Sequence, residues 1–191
     1  FRRVLFRSVV PKALLRAVIS DLTGFGSQTG GSTLTQQLIK MQVLTSQVTF
    51  KRKATEVLLA LRVDKYFTKK EILQDYLNIA TLGRNNKGQN VAGVQEAAQG
   101  LFGKDAKNLT LAEAAYIAGL PQSPSVYTPY DQDGTLKDPE YLKYGLDRKN
   151  TVLFRMYRDH RITKAEYQAA KKVDLTSEFQ AKAEQIGRAH V

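Results

Sequence analysis

Apolar side chains recur three and four residues apart along most of this sequence, the interval that gathers them on one face of a helix. Residues 11–19 begin with Pro11, suited to a first helical turn, and set Leu14, Leu15, Val18 and Ile19 beside Lys12 and Arg16. That is a basic amphipathic helix; it fits an ordinary protein surface, and its chemistry also suits an anionic membrane. Gly24, Gly26, Gly30 and Gly31 among Ser and Thr make 21–31 a mobile loop able to admit a long substrate. A helix then carries residues 36–40, and the uncharged stretch 42–50 reads as a short extended or irregular connection.

The helix predicted over 51–66 buries Ala54, Val57, Leu58 and Leu61 and leaves Arg52, Glu56 and Leu59 on another face. Thr68-x-x-Glu71, Thr110-x-x-Glu113 and Thr163-x-x-Glu166 have the capping-box pattern and each starts a helix. The first of these runs through Tyr76 and Leu77 with Asn78 as its stop signal, and the second ends at Gly119-Leu120-Pro121. Between them lie a polar loop over 83–93, of a kind that binds anions or nucleic acid, and a short packing helix over 94–102. Pro121, Pro124 and Pro129 with Tyr127 and Tyr130 predict an irregular extended run that wraps the core. A further helix covers 141–157. No internal repeat and no strand-like alternation stands out, so the predicted class is mainly α in a single domain.

Composition narrows this picture in three ways. A length of 191 residues with 42% hydrophobic side chains is enough for one domain with a sizeable core. The absence of cysteine excludes disulfides, thiolate metal sites and a Cys nucleophile. A formal net charge of +11 calls for an anionic partner: nucleic acid, an acidic membrane surface or a phosphate-bearing substrate. No stretch reaches the roughly 18 apolar residues of a membrane span, and no signal peptide is visible. Of the 2 His, His190 lies in the last residues and His160 in an Arg-rich helix end, so His catalysis is not expected. The segments Arg3-Val4-Leu5-Phe6-Arg7-Ser8 and Ile186-Gly187-Arg188-Ala189-His190 can be encoded by opposite strands of one short DNA duplex. Residues 1–8 and 186–191 are therefore expected to derive from adapter DNA and are set aside.

Candidate chemistry gathers between Gly30 and Glu56. Ser32, Thr33, Thr35, Gln36 and Gln37 follow a Gly pair, and Lys40 stands one turn past Gln36 on the same helix face. Hydroxyls, amides and a cation on one face suit phosphates. Arg52 and Glu56 are i and i+4, so a lone carboxylate sits among Lys51, Arg52 and Lys53. Each block also has a plain reading, since Thr33-x-x-Gln36 is itself a capping pattern and an Arg52/Glu56 pair can be a solvated surface pair worth little.

Two more ordered blocks, Lys69-Lys70-Glu71-Ile72-Leu73-Gln74-Asp75-Tyr76-Leu77-Asn78 and Gly93-Val94-Gln95-Glu96-Ala97-Ala98-Gln99-Gly100-Leu101-Phe102-Gly103-Lys104, follow at a characteristic interval. Together the four resemble the peptidoglycan glycosyltransferase domain (glycosyltransferase family 51) of bifunctional class A penicillin-binding proteins, bacterial enzymes that polymerise lipid II into glycan strands. The resemblance covers residues 9–175 and implies a lysozyme-like α-helical fold truncated at its N-terminus. Residues 176–185 would then begin a linker to a C-terminal transpeptidase domain. It implies an inverting transfer in which the acceptor sugar's 4-hydroxyl attacks the donor's anomeric carbon and undecaprenyl pyrophosphate leaves. Ser32, Thr33, Gln36, Gln37, Lys40, Arg52, Lys53 and Asn78 would bind substrate. Glu56 would be the second essential carboxylate, either holding a divalent cation (Mg or Mn) that bridges the phosphates or orienting its basic neighbours.

The general base of the family comes from a Glu-Asp motif preceding the stretch that here begins Val9-Val10-Pro11, and these 191 residues contain no Glu-Asp pair. Val48 stands where some members have a basic residue. The implied setting is the extracytoplasmic face of a bacterial cell membrane, of the Gram-positive type. The implied partners are lipid II, the growing strand, the membrane surface and other cell-wall synthesis proteins, without nucleic acid. Alternative readings are a lysozyme-like lytic muramidase, against which the Lys40, Arg52 and Lys53 cluster speaks because its glycan is neutral, and a basic helical nucleic-acid-binding or docking module.

Overall fold

A computed structural model describes residues 34–42 and 50–181. The helix predicted over residues 11–19, the glycine loop 21–31, Ser32, Thr33 and Val48 lie outside the described residues. The chain divides into two compact units, one ending at Ile79 and the other beginning at Ala80.

The described part of the first unit is three helices: α1 (Leu34–Gln42), α2 (Phe50–Tyr66) and α3 (Lys69–Ile79). Helix α1 packs on both α2 and α3. It buries Leu38 and Ile39 together with the polar Thr35 and Gln36. Helix α2 departs from the sequence expectation. Its inward face is Glu56, Val57 and Ala60, flanked by half-buried Lys53, Val63 and Asp64. Of the predicted apolar stripe only Val57 is buried; Leu58 is 63% and Leu61 52% exposed, and Ala54 is exposed too. The helix is thus turned by about one residue, roughly 100°. The physical reason is that the buried polar groups of this face have partners: Asp64 accepts from Thr35 of α1, and Glu56 is paired with Lys53 one turn earlier on α2. Helix α3 begins with the predicted capping box, Glu71 Oε2 accepting from the Thr68 N–H (2.7 Å) and Thr68 Oγ1 from the Glu71 N–H (3.3 Å).

The second unit opens with a small antiparallel hairpin, β1 (Thr81–Arg84) and β2 (Asn90–Ala92), with Thr81 opposite Ala92 and Arg84 opposite Asn90 across an irregular register. The stretch 83–93, expected as a polar loop, is largely this hairpin. Asn85 Oδ1 accepts from the Lys87 and Gln89 N–H groups (3.0 and 3.1 Å), so the turn's polar atoms serve the turn itself. Gly88 has φ +75, and a Cβ there would lie 2.0 Å from the Gln132 carbonyl oxygen, so this position is closed to other residues.

Five helices follow: α4 (Val94–Phe102), α5 (Leu111–Gly119), the single turn α6 (Pro124–Tyr127), α7 (Pro139–Arg158) and α8 (Lys164–Lys172). Both predicted capping boxes, Thr110/Glu113 and Thr163/Glu166, are formed. The proline run begins as helical turns, Leu120–Gln122 and α6, where an extended run was expected, and leaves the helical form at the extended Thr128 before Tyr130 bridges to Leu136. Pro121 and Pro124 sit in first turns, where the missing N–H has no helical partner to lose. Tyr130, expected to wrap the core, is fully buried within it. Phe102, Tyr116 and Phe179 pack ring on ring, with centroids 5.2 to 6.4 Å apart. Residues 176–181, expected to begin a linker, are packed: Phe179 is in that aromatic cluster, Tyr130 Oη donates to the Gln180 carbonyl (2.8 Å), and the Gln180 N–H donates to the Leu101 carbonyl (2.8 Å). Among the described residues the mainly α class is borne out, with this one hairpin as the only sheet.

Candidate functional site

The predicted site residues that the structure describes fall on the three helices of the first unit. On α1, the hydroxyl and amide series points inward at Thr35 and Gln36, while Gln37 is half-buried and Lys40 is exposed to solvent. Gln37 Oε1 accepts a 3.4 Å hydrogen bond from Tyr76 Oη of α3. Burial raises the Tyr76 phenol, which keeps it protonated as the donor. Asn78 is exposed on α3 and joins Leu38, Ile39, Phe67, Ile72 and Asp75 in the wall of a cavity of about 490 Å³.

Helix α2 supplies the charges. Glu56 is only 1% exposed, and its Oε1 accepts a hydrogen bond from Lys53 Nζ, one turn earlier. The surface pair with Arg52 considered from the sequence is therefore replaced by a buried pair with Lys53. The i, i+3 spacing puts both groups on the inward face, whereas Arg52 is half-buried at the edge. A buried carboxylate is costly to leave without a cation, so Glu56 and Lys53 fix each other's position. Two further cations of α2, Arg62 and Lys65, lie on exposed positions beside Leu58 and Leu61.

These residues are a poor donor set for a protein-held Mg or Mn. Such ions take an octahedron of oxygens, and one oxygen of Glu56 is already engaged by an ammonium. Among the described residues no three of His, Cys, Asp and Glu come together as a metal site. The arrangement instead fits the other expected role of Glu56, holding a cation in place.

Sequence reasoning missed one contact. Thr35 is 0% exposed, and its hydroxyl donates to Asp64 Oδ1 at 2.8 Å, across 29 residues. Thr35 belonged to the hydroxyl series, but nothing in the local pattern pointed to Asp64, which lies two turns past Glu56.

The second unit holds a separate charged cluster. Glu113 is fully buried; burial pushes its carboxyl up, but Lys104 Nζ at 2.6 Å and the Thr110 bonds outweigh this and leave it below its ordinary value. Glu178, 3.9 Å from the same ammonium, is raised by its own burial and by Glu113. Lys149 is 2% exposed, and its Nζ donates to the Val173 carbonyl at 2.7 Å, closing the end of α8. These contacts hold the unit together. Among the described residues no helix is long and apolar enough to cross a membrane.

Comparison with known proteins gives the family. A family model described as transglycosylase matches residues 7–157, most of the chain. Penicillin-binding protein 1A of Clostridium botulinum (strain Langeland) is 45% identical over 148 residues, covering 78% of this chain and 17% of that protein. Penicillin-binding protein 1A of Pseudomonas aeruginosa is 37% identical over 180 residues, covering 94% of this chain and 20% of that protein. A crystal structure of penicillin-binding protein 1A from Haemophilus influenzae matches 78% of this chain and 17% of that one at 30% identity, with a TM-score of 0.44. The chain spans about a fifth of the length of these relatives. The family model, matched from residue 7 to residue 157, decides the assignment: the chain belongs to the transglycosylase family.

Proposed function

We propose that the chain is the glycosyltransferase part of a peptidoglycan-polymerising enzyme, joining lipid II units with inversion as undecaprenyl pyrophosphate leaves. The observation that carries this reading is the transglycosylase match over 7–157, which includes α1, α2 and α3. The geometry of the first unit supports the leaving-group half of the reaction. As the acceptor hydroxyl forms its bond to the anomeric carbon, the bond to the pyrophosphate oxygen breaks and negative charge grows there. Lys40 from α1, with Lys53 and Arg52 from α2, supplies cations for that charge, and charge-assisted hydrogen bonds to phosphate are the strongest available. Glu56 then acts by holding Lys53, and no step needs an ion on the protein. Deprotonation of the acceptor is assigned to the Glu-Asp motif that the resemblance implies before Val9.

The working surface is proposed to be the outer face of a bacterial membrane, where the lipid substrate resides. Exposed Leu58 and Leu61 beside Arg62 and Lys65 on α2 support an interfacial seat, apolar side chains entering and cations meeting anionic headgroups. The test is binding of a polyprenyl pyrophosphate against the matching polyprenol. A preference for the pyrophosphate that Lys40→Ala removes supports the reading; equal binding of the two, unaffected by Lys40→Ala, refutes it.

A further inference from the structure

Resting on the reading above, we propose that the Thr35–Asp64 hydrogen bond is a positioning contact of the pyrophosphate site, keeping the cation of α1 in register with those of α2. The two halves of the site lie on different helices, Gln37 and Lys40 on α1, Arg52, Lys53 and Glu56 on α2. Helix α1 packs on α2, and each buries apolar side chains, Leu38 and Ile39 on one and Val57 and Ala60 on the other. Such burial is non-directional and does not by itself fix how far one helix slides along its neighbour. A slip of one residue displaces a side chain by about 1.5 Å along the axis. A misplacement of about 1 Å in a reacting site can cost on the order of 10² in rate.

The Thr35 hydroxyl removes that freedom. It is fully buried, so it must be satisfied within the protein, and its partner is an Asp64 carboxylate oxygen at 2.8 Å. The bond is directional and charge-assisted, and it fastens the first turn of α1 to the last turns of α2. A carboxylate at a helix N-terminus is also favoured by the partial positive charge there, which strengthens the same arrangement. Lys40 lies five residues beyond Thr35 and Lys53 eleven before Asp64, so both cations extend from this one fixed point. Thr35 and Asp64 thereby act through the lysines without touching the ligand.

The experiment uses the 191-residue chain with a short polyprenyl pyrophosphate and the matching polyprenol as probes, below the melting temperature of every variant compared. Thr35→Val keeps the shape and removes the hydroxyl; Thr35→Ser keeps the hydroxyl; Asp64→Ala removes the acceptor and serves if Thr35→Val does not fold. The expected result is a loss of about tenfold in pyrophosphate affinity for Thr35→Val and Asp64→Ala. Polyprenol binding should stay within about twofold, and Thr35→Ser should match the parent. Lys40→Ala should cost less in the Thr35→Val background than in the parent, because a displaced lysine has less to lose. A merely stabilising bond would lower the melting temperature and leave these affinities and the coupling unmoved. Unchanged pyrophosphate affinity in folded Thr35→Val or Asp64→Ala, equal losses for both probes, or strict additivity with Lys40→Ala would overturn the proposal. A parent chain with no preference for the pyrophosphate would instead bring down the functional reading on which it rests.

Discussion

Glu56 shows how burial changes what a single residue is worth. Because it is 1% exposed and bonded to Lys53, Glu56→Gln removes one charge of an inward-facing pair. The expected loss of stability is on the order of 1–3 kcal/mol, above the figure for a surface pair. Pyrophosphate affinity should fall with it, since Lys53 is no longer held, and adding Mg should not restore the difference. Denaturation and binding titrations of the same variant check both. Glu113 offers a pH test in the second unit. Its folded value lies below its ordinary 4.5, so the stability it contributes is fully present above about pH 4.5 and is lost as pH falls through the folded value. Glu178 has the opposite sign, its folded value being raised, so its contribution fades as pH rises above about 4.5. Glu113→Gln should cost about 1–3 kcal/mol near pH 7, since Lys104 is part exposed, and should flatten the decline below pH 4.5. Urea denaturation across pH 3 to 7 measures this.

At the scale of elements, α2 carries two faces with different expected behaviour. Leu58→Asp and Leu61→Asp lie on the exposed face and should change stability by less than about 0.5 kcal/mol. The same changes should weaken attachment to anionic vesicles, read by co-sedimentation, if that face meets a membrane. Ala60 is 0% exposed on the inward face, and Ala60→Leu should destabilise by about 1–3 kcal/mol through overpacking against α1. Equal effects on both faces would contradict the observed rotation of the helix. On α7, a Cβ at Gly145 would lie 2.6 Å from both Tyr116 Oη and the Tyr127 carbonyl oxygen. Gly145→Ala should therefore break the 2.7 Å bond between those two groups and lower the melting temperature by several degrees.

For the molecule as a whole, helical circular dichroism is expected, with little strand signal beyond the hairpin. The 191 residues are expected to bind a lipid pyrophosphate without polymerising lipid II, because general-base assistance is worth about 10²–10⁴ in rate and they contain no Glu-Asp pair. Joining the implied upstream motif should restore chain growth in a polymerisation assay. Polymerisation by the 191 residues at the rate of the extended chain would show the base assignment to be wrong. Binding should also weaken as salt rises, since the net charge of +11 contributes through screened electrostatics.

Local signals in the sequence carried most of the helix positions. Three capping boxes placed helix starts at 69, 111 and 164, because a cap is a contact between residues three apart and needs no tertiary partner. The same held for the chemical blocks, whose residue types and spacing carry the family resemblance. Local pattern does not say what a face will meet. Period 3.6 is satisfied by two faces of α2, and packing on α1, with the bond from Thr35 to Asp64, goes with the face that buries Glu56 and Ala60 and leaves Leu58 and Leu61 outside. The prolines after Gly119 likewise fix φ without deciding between an extended run and helical turns; the bond from the buried Tyr116 hydroxyl to the Tyr127 carbonyl, 11 residues on, is a tertiary contact that holds the α6 turn. Thus composition and short spacing determined the elements and the kind of chemistry. The i, i+3 spacing of Lys53 and Glu56 is local, but the burial of that pair and the bond from Thr35 to Asp64, 29 residues apart, were settled by tertiary packing, since they depend on neighbours distant in the chain.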